Sequence, residues 1–376
     1  MRYVSINSVP NGSTGTVMRQ VIEERRELGD ECWLMWGRGR AAEGDHEFNY
    51  GSTAGVYADA LATRLDGRAG FHSKAATGRL LARLDEVRPD VVHLHNLHGY
   101  HVNVEMLFAW LAEHEEVQVR WTLHDCWAFT GHCAHFTYAK CAQWKDRCAY
   151  SGKCPQLRTY PKTFAGSASC RRSFEDKRRA FTSLPADRMT IVTPSHWLEG
   201  LVRQSFLAKY PVEVRHNTID TSVFKPTPSD FRERYGIGDR FMVLGVAAKW
   251  SERKGLSDFV RLARELDSEE YAVVLVGLSG KQVSKLSKEL VALPRTDSAR
   301  GLAEAYTAAD VHVQPSAEET FGMTVAEAAA CGTPVVVRAG SACVEAAEAC
   351  GADVTALPDM EGLRATIVRM ARGGSS

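Results

Sequence analysis

What this 376-residue sequence lacks sets its first limits. It has no net charge, since 46 Lys and Arg balance 46 Asp and Glu. No whole-molecule field therefore favours nucleic acid or an anionic membrane, and any anion site has to be local. Long hydrophobic runs are missing too. The longest, YAVVLVGL at 271–278, is of strand length, far short of the roughly 18 to 20 residues a spanning helix needs. Ten cysteines in a chain of this length are too sparse for a secreted disulfide scaffold. The N-terminus MRYVSINSVPNG breaks its apolar stretch with Ser5, Asn7 and Ser8 and shows no small-residue cleavage pattern, so it reads as the first strand of a mature cytoplasmic protein. There is no G-x-x-x-x-G-K-[ST] and no D-x-D pair to hold a divalent ion against a diphosphate. No solenoid repeat is present, and no low-complexity tract beyond the closing GGSS.

What is present is a repeating βα unit. Residues 3–9 read as the first strand, 32–36, 91–94, 119–123 and 191–193 as further buried strands, continuous rather than alternating as parallel strands covered on both faces should be, and a helix over 17–28 stops at Gly29. Residues 52–79 are weakly patterned and read as loops. A polar stretch with two prolines, about 217–230, reads as a connector. Beyond it, strands at 241–247, 272–277, 311–314 and 334–337 interleave with helices at 256–265, 301–309 and 324–331. The expected fold class is α/β, with two doubly wound Rossmann-like domains, 1–217 and 218–376, facing a central cleft. A cysteine-rich insertion occupies about 126–160.

Three loops carry candidate chemistry. Gly12 and Gly15 lie between the first strand and first helix, where free N–H groups favour a phosphate or carboxylate; an ordinary βα turn is the other reading. The second strand ends in Trp36-Gly37-Arg38-Gly39-Arg40, without the acid that would hold a ribose, which weighs against a nicotinamide dehydrogenase. The segment 248–255 places Lys249, Arg253 and Lys254 after a buried strand, where α/β folds bind ligands; the alternative is a solvated basic turn, with Arg253 the most solvated of the three. The loop 316–327 holds Glu319, Thr320, Phe321, Gly322, Met323, Thr324 and Glu327. A carboxylate there accepts hydrogen bonds from sugar hydroxyls, and N–H groups after Phe321 face a diphosphate. Thr324-x-x-Glu327 also fits a capping box, which needs no ligand.

The E-x(7)-E pair with F-G inside it, the A-x-x-C-G-T-P-V-V tail, the Lys249…Lys254-Gly255 pair and the connector N-x-I-D-x(3)-F-x-P together resemble family-four retaining glycosyltransferases of the GT-B fold, of the bacterial polysaccharide type. The resemblance runs from near Gly12 to about Val337. It implies that Glu319 meets the donor sugar's hydroxyls, Glu327 the ribose, and Lys254 and Lys249 the diphosphate. Lys249 stands where that family more often has arginine, which removes a bidentate fork but not the charge. The segment Trp121-Thr122-Leu123-His124-Asp125 resembles the family's T-x-H, so His124 would reach the donor sugar from the other domain. The implied catalytic set is His124, Glu319 and Lys254. The implied reaction is a metal-independent transfer with retention, from a nucleoside-diphosphate sugar to a glycan or lipid-linked acceptor, in surface polysaccharide synthesis at the inner face of the membrane. No cofactor is required for it. A catalytically silent nucleotide- or glycan-binding protein on the same fold is the alternative. A nucleic-acid binder would want a basic stripe that is not there.

Two clusters remain. The run 93–101 carries four histidines, of which His93 and His95 share one strand face. By family analogy this strand end lies on the acceptor side, so His95 is the candidate there, against a structural histidine. Cys133, Cys141, Cys148 and Cys154 crowd the insertion with His132 and His135. Four thiolates would satisfy a structural zinc, but the x(7), x(6) and x(5) spacings lack paired C-x(2)-C, and reduced thiols are the other reading. Many members of the resembled family end in a long helix that crosses back to the first domain. Here the last helical pattern, 361–371, is followed by GGSS, so that crossing is expected to be lost, shortened or cut off at the end of the given sequence.

Overall fold

The computed structural model describes all residues except 40–43, 151, 287, 297 and 374–376. Arg40 of the glycine-arginine segment and the last three residues of GGSS thus lie outside the described residues. The chain divides into two compact units, Met1–Arg215 and His216–Ser376.

In the first unit the apolar runs become β1 (Arg2–Asn7), β2 (Glu31–Trp36), β3 (Glu47–Asn49), β4 (Val91–Leu94), β5 (Gln118–Thr122), β6 (Met189–Thr193) and β7 (Val212–Val214). They form one parallel sheet in the order β3-β2-β1-β4-β5-β6-β7. The second unit holds β8 (Phe241–Val246), β9 (Tyr271–Val276), β10 (Val291–Leu293), β11 (Val311–Gln314), β12 (Val335–Arg338) and β13 (Val354–Leu357), parallel in the order β10-β9-β8-β11-β12-β13. Each sheet reverses its winding once, between β1 and β4 and between β8 and β11. The strand ends beside such a switch point are where open α/β sheets bind ligands. All six residues of β9 are buried, as helices on both faces require. Helix Leu256–Glu265 occupies the expected bounds, and the last described helix, Leu363–Ala371, packs its Leu363 and Ile367 into the core of the second unit.

Residues 52–79 are not loops but contain helices Thr53–Asp66 and Lys74–Val87. The first begins at Ser52, whose hydroxyl accepts from Gly55 N at 3.1 Å. Its pattern misleads because it is inverted: Asp59 and Thr63 face inward, whereas Tyr57, Leu61 and Leu65, one helical stripe, are 72, 60 and 65% exposed. Among the described residues, no helix is long and apolar enough to cross a membrane.

Candidate functional site

In the second unit, the loops following β8 and β11 close on each other. A single tight turn, Glu252–Lys254, leads into Gly255 at φ +77°, from which helix Leu256–Glu265 starts. A Cβ on Gly255 would stand 2.3 Å from Pro315 Cγ, so only glycine permits both the turn and the close approach. That approach brings Lys254 Nζ to donate to Glu319 Oε1. Gln314, the last residue of β11, donates to the same Glu319 oxygen at 3.5 Å and to Thr324 Oγ1 at 3.1 Å. Arg253 is not merely solvated. Its guanidinium donates to Glu318 O at 2.7 Å while its own carbonyl accepts from Ala317 N at 3.1 Å, stapling the two loops.

The electrostatics follow from burial. Burial pushes the Glu319 carboxyl up, but the Lys254 ammonium, with Arg253 and Ser316, outweighs it and holds the group below its ordinary value. Glu327 has no such cation. Burial drives it up to about 7, opposed only by the Tyr306 hydroxyl, which donates to Oε2 at 3.0 Å. The capping box does not form, because helix Met323–Ala330 starts after Gly322 and Thr324 lies inside its first turn. Phe321 is buried, its ring 5.7 Å from that of His216, while Thr320 and Met323 are half-buried. Lys249 is exposed. Lys254, Glu319, Thr324 and Glu327 are thus gathered around β11, with two helix starts beside them that favour an anion.

In the first unit, the ends of β4 and β5 carry a stack of imidazoles. His93 bonds Tyr3 OH through Nδ1 and Thr122 Oγ1 through Nε2, both at 2.7 Å. Its ring stacks on His95 at 4.4 Å, which stacks on His124 at 5.4 Å. His95 Nδ1 and His124 Nε2 share a hydrogen bond of 3.1 Å. Trp121 anchors the stack by donating from Nε1 to His95 O at 3.0 Å. Burial pushes His93 and His95 well below the ordinary imidazole value and His124 down to about 4, so all three are neutral near pH 7. Next to them His98 meets Asp125 Oδ2 at 2.6 Å; burial opposes, but that imidazole and the Trp127 N–H bring Asp125 down to about 2. His95 and His124, singled out separately in the sequence, therefore act as one group. The sequence pointed to the histidine run and to His124, but not to the pairing of His98 with Asp125, which joins two loops far apart in the chain.

The glycine loop has a structural reason of its own. Gly12 opens helix Gly12–Glu27, and a Cβ on Gly15 would lie 2.6 Å from the Pro10 carbonyl carbon. Asn7, at the end of β1, accepts from Ser8 N and Asn96 N and so ties the β1 and β4 loops together. On the same unit a cavity of about 330 Å³ is lined by Ser52, Asp59, His72, Lys74, Arg79 and Tyr100, among others.

All ten cysteines are free thiols. Cys133, Cys141, Cys148 and Cys154 do converge, around a cavity of about 10 Å³ shared with His132 and with Cys170 from helix Ser167–Phe181. Among the described residues, no group of three or more His, Cys, Asp or Glu side chains is disposed to hold a metal ion. Beside the thiols, Lys177 is buried, donates to Trp127 O at 2.7 Å and lies 3.8 Å from the centre of that indole.

The loops of the second unit fall within residues 229–350, which match the model of the family described as glycosyl transferases group 1. This stretch of the second unit is therefore similar to the group 1 glycosyl transferases. Over 111 residues it is 35% identical to the putative colanic acid biosynthesis glycosyl transferase WcaC of Escherichia coli K12, covering 28% of this chain and 26% of that one. Over 170 residues it is 28% identical to the alpha-galactosylglucosyldiacylglycerol synthase of Streptococcus pneumoniae, covering 40% of this chain and 44% of that one. The matches span a quarter to under half of the length of these curated relatives. Across 99% of this chain and 90% of the other, the fold superposes on sucrose-phosphate synthase of Thermosynechococcus elongatus with a TM-score of 0.66 at 14% identity. The Anabaena protein HepE, solved in complex with UDP-glucose, gives 0.60 at 14% identity over 98 and 89% of the two chains. The architecture is the GT-B fold of these structural neighbours.

Proposed function

We propose that this chain is a glycosyltransferase moving a sugar from a nucleoside-diphosphate sugar to a hydroxyl of a glycan or lipid-linked acceptor, without a metal and with retention, in bacterial surface polysaccharide synthesis. The observation that carries the proposal is the meeting of Lys254 with Glu319 at the β8/β11 switch point, inside the stretch that matches the family. In this reading the donor's diphosphate takes the ammonium of Lys254, with Lys249 adding charge, and Glu319, released, accepts hydrogen bonds from the sugar. Glu327 accepts from the ribose diol. The backbone from Thr320 to Thr324 lines the approach to the phosphates. The bond from the anomeric carbon to the diphosphate oxygen breaks. The acceptor oxygen bonds to the same face, and its proton passes to the departing phosphate oxygen. Such a reaction needs charge stabilisation more than a strong base, which suits the lysines of the second unit. His124 then serves the sugar as an uncharged hydrogen-bonding group oriented by His95.

The first unit is assigned to the acceptor and the second to the donor. The cavity beside Tyr100 supports the first assignment, and the exposed Tyr57, Leu61 and Leu65 stripe near Arg64 and Phe164 supports contact with a lipid surface. Free thiols throughout are compatible with the cytoplasm. Thermal shifts against UDP-, GDP- and ADP-sugars, followed by a sugar-release assay, test the reading. A donor that raises the melting point and is turned over supports it, binding without turnover supports a silent binding protein, and no shift with any donor overturns it.

A further inference from the structure

We propose that the cysteine-rich insertion, together with the outer face of helix Thr53–Asp66, docks the first unit on a bilayer of anionic lipid. Net neutrality conceals a strong local excess of charge. Of the chain's 46 Lys and Arg, 11 lie between Lys140 and Arg179, with only 3 of its 46 Asp and Glu, so the remaining residues carry 35 cations against 43 acids. Ten of those eleven cations are exposed, Lys177 being the buried one. Two of the three acids are already engaged: Asp176 is buried against Arg68 and Arg179, and Glu175 meets Arg147 at 3.3 Å. The surface is thus basic well beyond its own ion pairs, and a clustered excess of this kind is drawn to anionic headgroups within a Debye length.

Charge alone does not separate a lipid from an acidic glycan, but the apolar side chains do. Among the described residues ten large apolar side chains are exposed, and seven of them lie at 57–65 or 138–164. Phe164 is 78% exposed, more than any other, and it is tied to the helix. Its N–H donates to Arg64 O at 2.7 Å, and Thr163 Oγ1 donates to the same carbonyl at 3.2 Å. The insertion thus joins the helix at the turn that carries Leu61 and Leu65, with Arg64 and Lys162 exposed beside it. Aliphatic side chains gain from entering the headgroup boundary and offer nothing to a soluble polyanion. Basic charge and apolar insertion are together the two signals that hold a protein on a bilayer. The same helix lines the cavity of about 330 Å³ with Gly55, Val56, Asp59 and Ala62, while Tyr57, Leu61 and Leu65 face outward. Docking therefore brings that cavity to the lipid surface, which names the partner for the proposed reading of a lipid-linked acceptor and rests on that reading for its purpose alone.

The test sediments the full chain with vesicles of phosphatidylcholine alone or mixed equally with phosphatidylglycerol. Binding to the mixed vesicles should be about tenfold or more the stronger, and should fall as sodium chloride rises from about 0.1 M to about 1 M. Lys153→Glu, Arg158→Glu and Lys162→Glu together should lower it about tenfold or more, whereas the same reversal at the exposed Lys281, Lys285 and Lys288 of the second unit should cost far less. Leu65→Ser with Phe164→Ser should weaken the binding that remains at high salt. Melting points read alongside keep unfolded variants out of the comparison, and the lipid and salt arms on the wild type stand without any variant. No preference for the anionic vesicles overturns the proposal, as does equal loss in the two lysine reversals. Loss in the first reversal with none in the serine pair assigns the surface to a soluble polyanion such as an acidic glycan, and overturns it too. No readout involves glycosyl transfer, so docking and the proposed function stand or fall separately.

Discussion

The two units wind their central strands in the same order, yet they place opposite kinds of polar group at the strand ends. The first puts imidazoles there, stacked and kept neutral by burial. The second sets Lys254 against Glu319, whose carboxyl that lysine holds below its ordinary value. Topology therefore decides where a site can form, and the local supply of counter-charges decides which chemistry it can do. A neutral surface suits hydroxyls, whereas a lysine beside two helix starts suits a phosphate.

The comparison breaks most readily at Lys254. Lys254→Ala should lower turnover with the matching donor by about a hundredfold or more, the scale of losing one preorganised charge-stabilising group; wild-type turnover in that variant would remove the role. Gly255→Ala should cost about 1–3 kcal/mol, because a side chain there must hold a left-handed backbone against Pro315. A melting point unchanged from wild type would show that the loops close in some other way.

The units should also answer pH with opposite signs. His124, held near 4, and His93 and His95, held well below the ordinary imidazole value, resist protonation when folded but not when unfolded. The unfolded chain therefore binds more protons below about pH 6.5, and stability should fall as the pH drops from there toward 4. Replacing His95 with Gln should reduce that slope, measured as melting point against pH. Glu327 is displaced the other way, to about 7, so the folded chain holds its proton more tightly and stability should fall as the pH rises from about 4.5 to 7. Glu327→Gln should flatten that branch. If the ribose diol donates to Glu327, nucleotide binding favours the carboxylate and releases protons near pH 7. Calorimetry in buffers of different ionisation heat should detect the release in wild type and not in Glu327→Gln.

The central strands were legible because burial on both faces writes an unbroken apolar run, as in β8 and β9. The edge strands β3, β7, β10 and β13 are three or four residues long and covered less completely, so no such run marks them. Helix Thr53–Asp66 was read as loop because its apolar stripe points outward. Lys254, Glu319 and Glu327 could be picked out from motif spacing. The staple made by Arg253 and the Tyr306 hydroxyl on Glu327 could not, because each joins segments that only the folded sheet brings together. Cys170 was overlooked for the same reason, since it reaches the thiol cavity from a helix beyond the insertion.

The contact between Lys254 and Glu319 also sets an entry condition. A ligand bringing only negative charge would draw the lysine away and strand a half-hidden carboxylate without its counter-ion. One bringing only hydroxyls would leave that carboxylate already engaged. A molecule offering both at once can exchange with the pair at little net loss, so the empty site behaves as a two-key lock that bare phosphate and free sugar each fail to open.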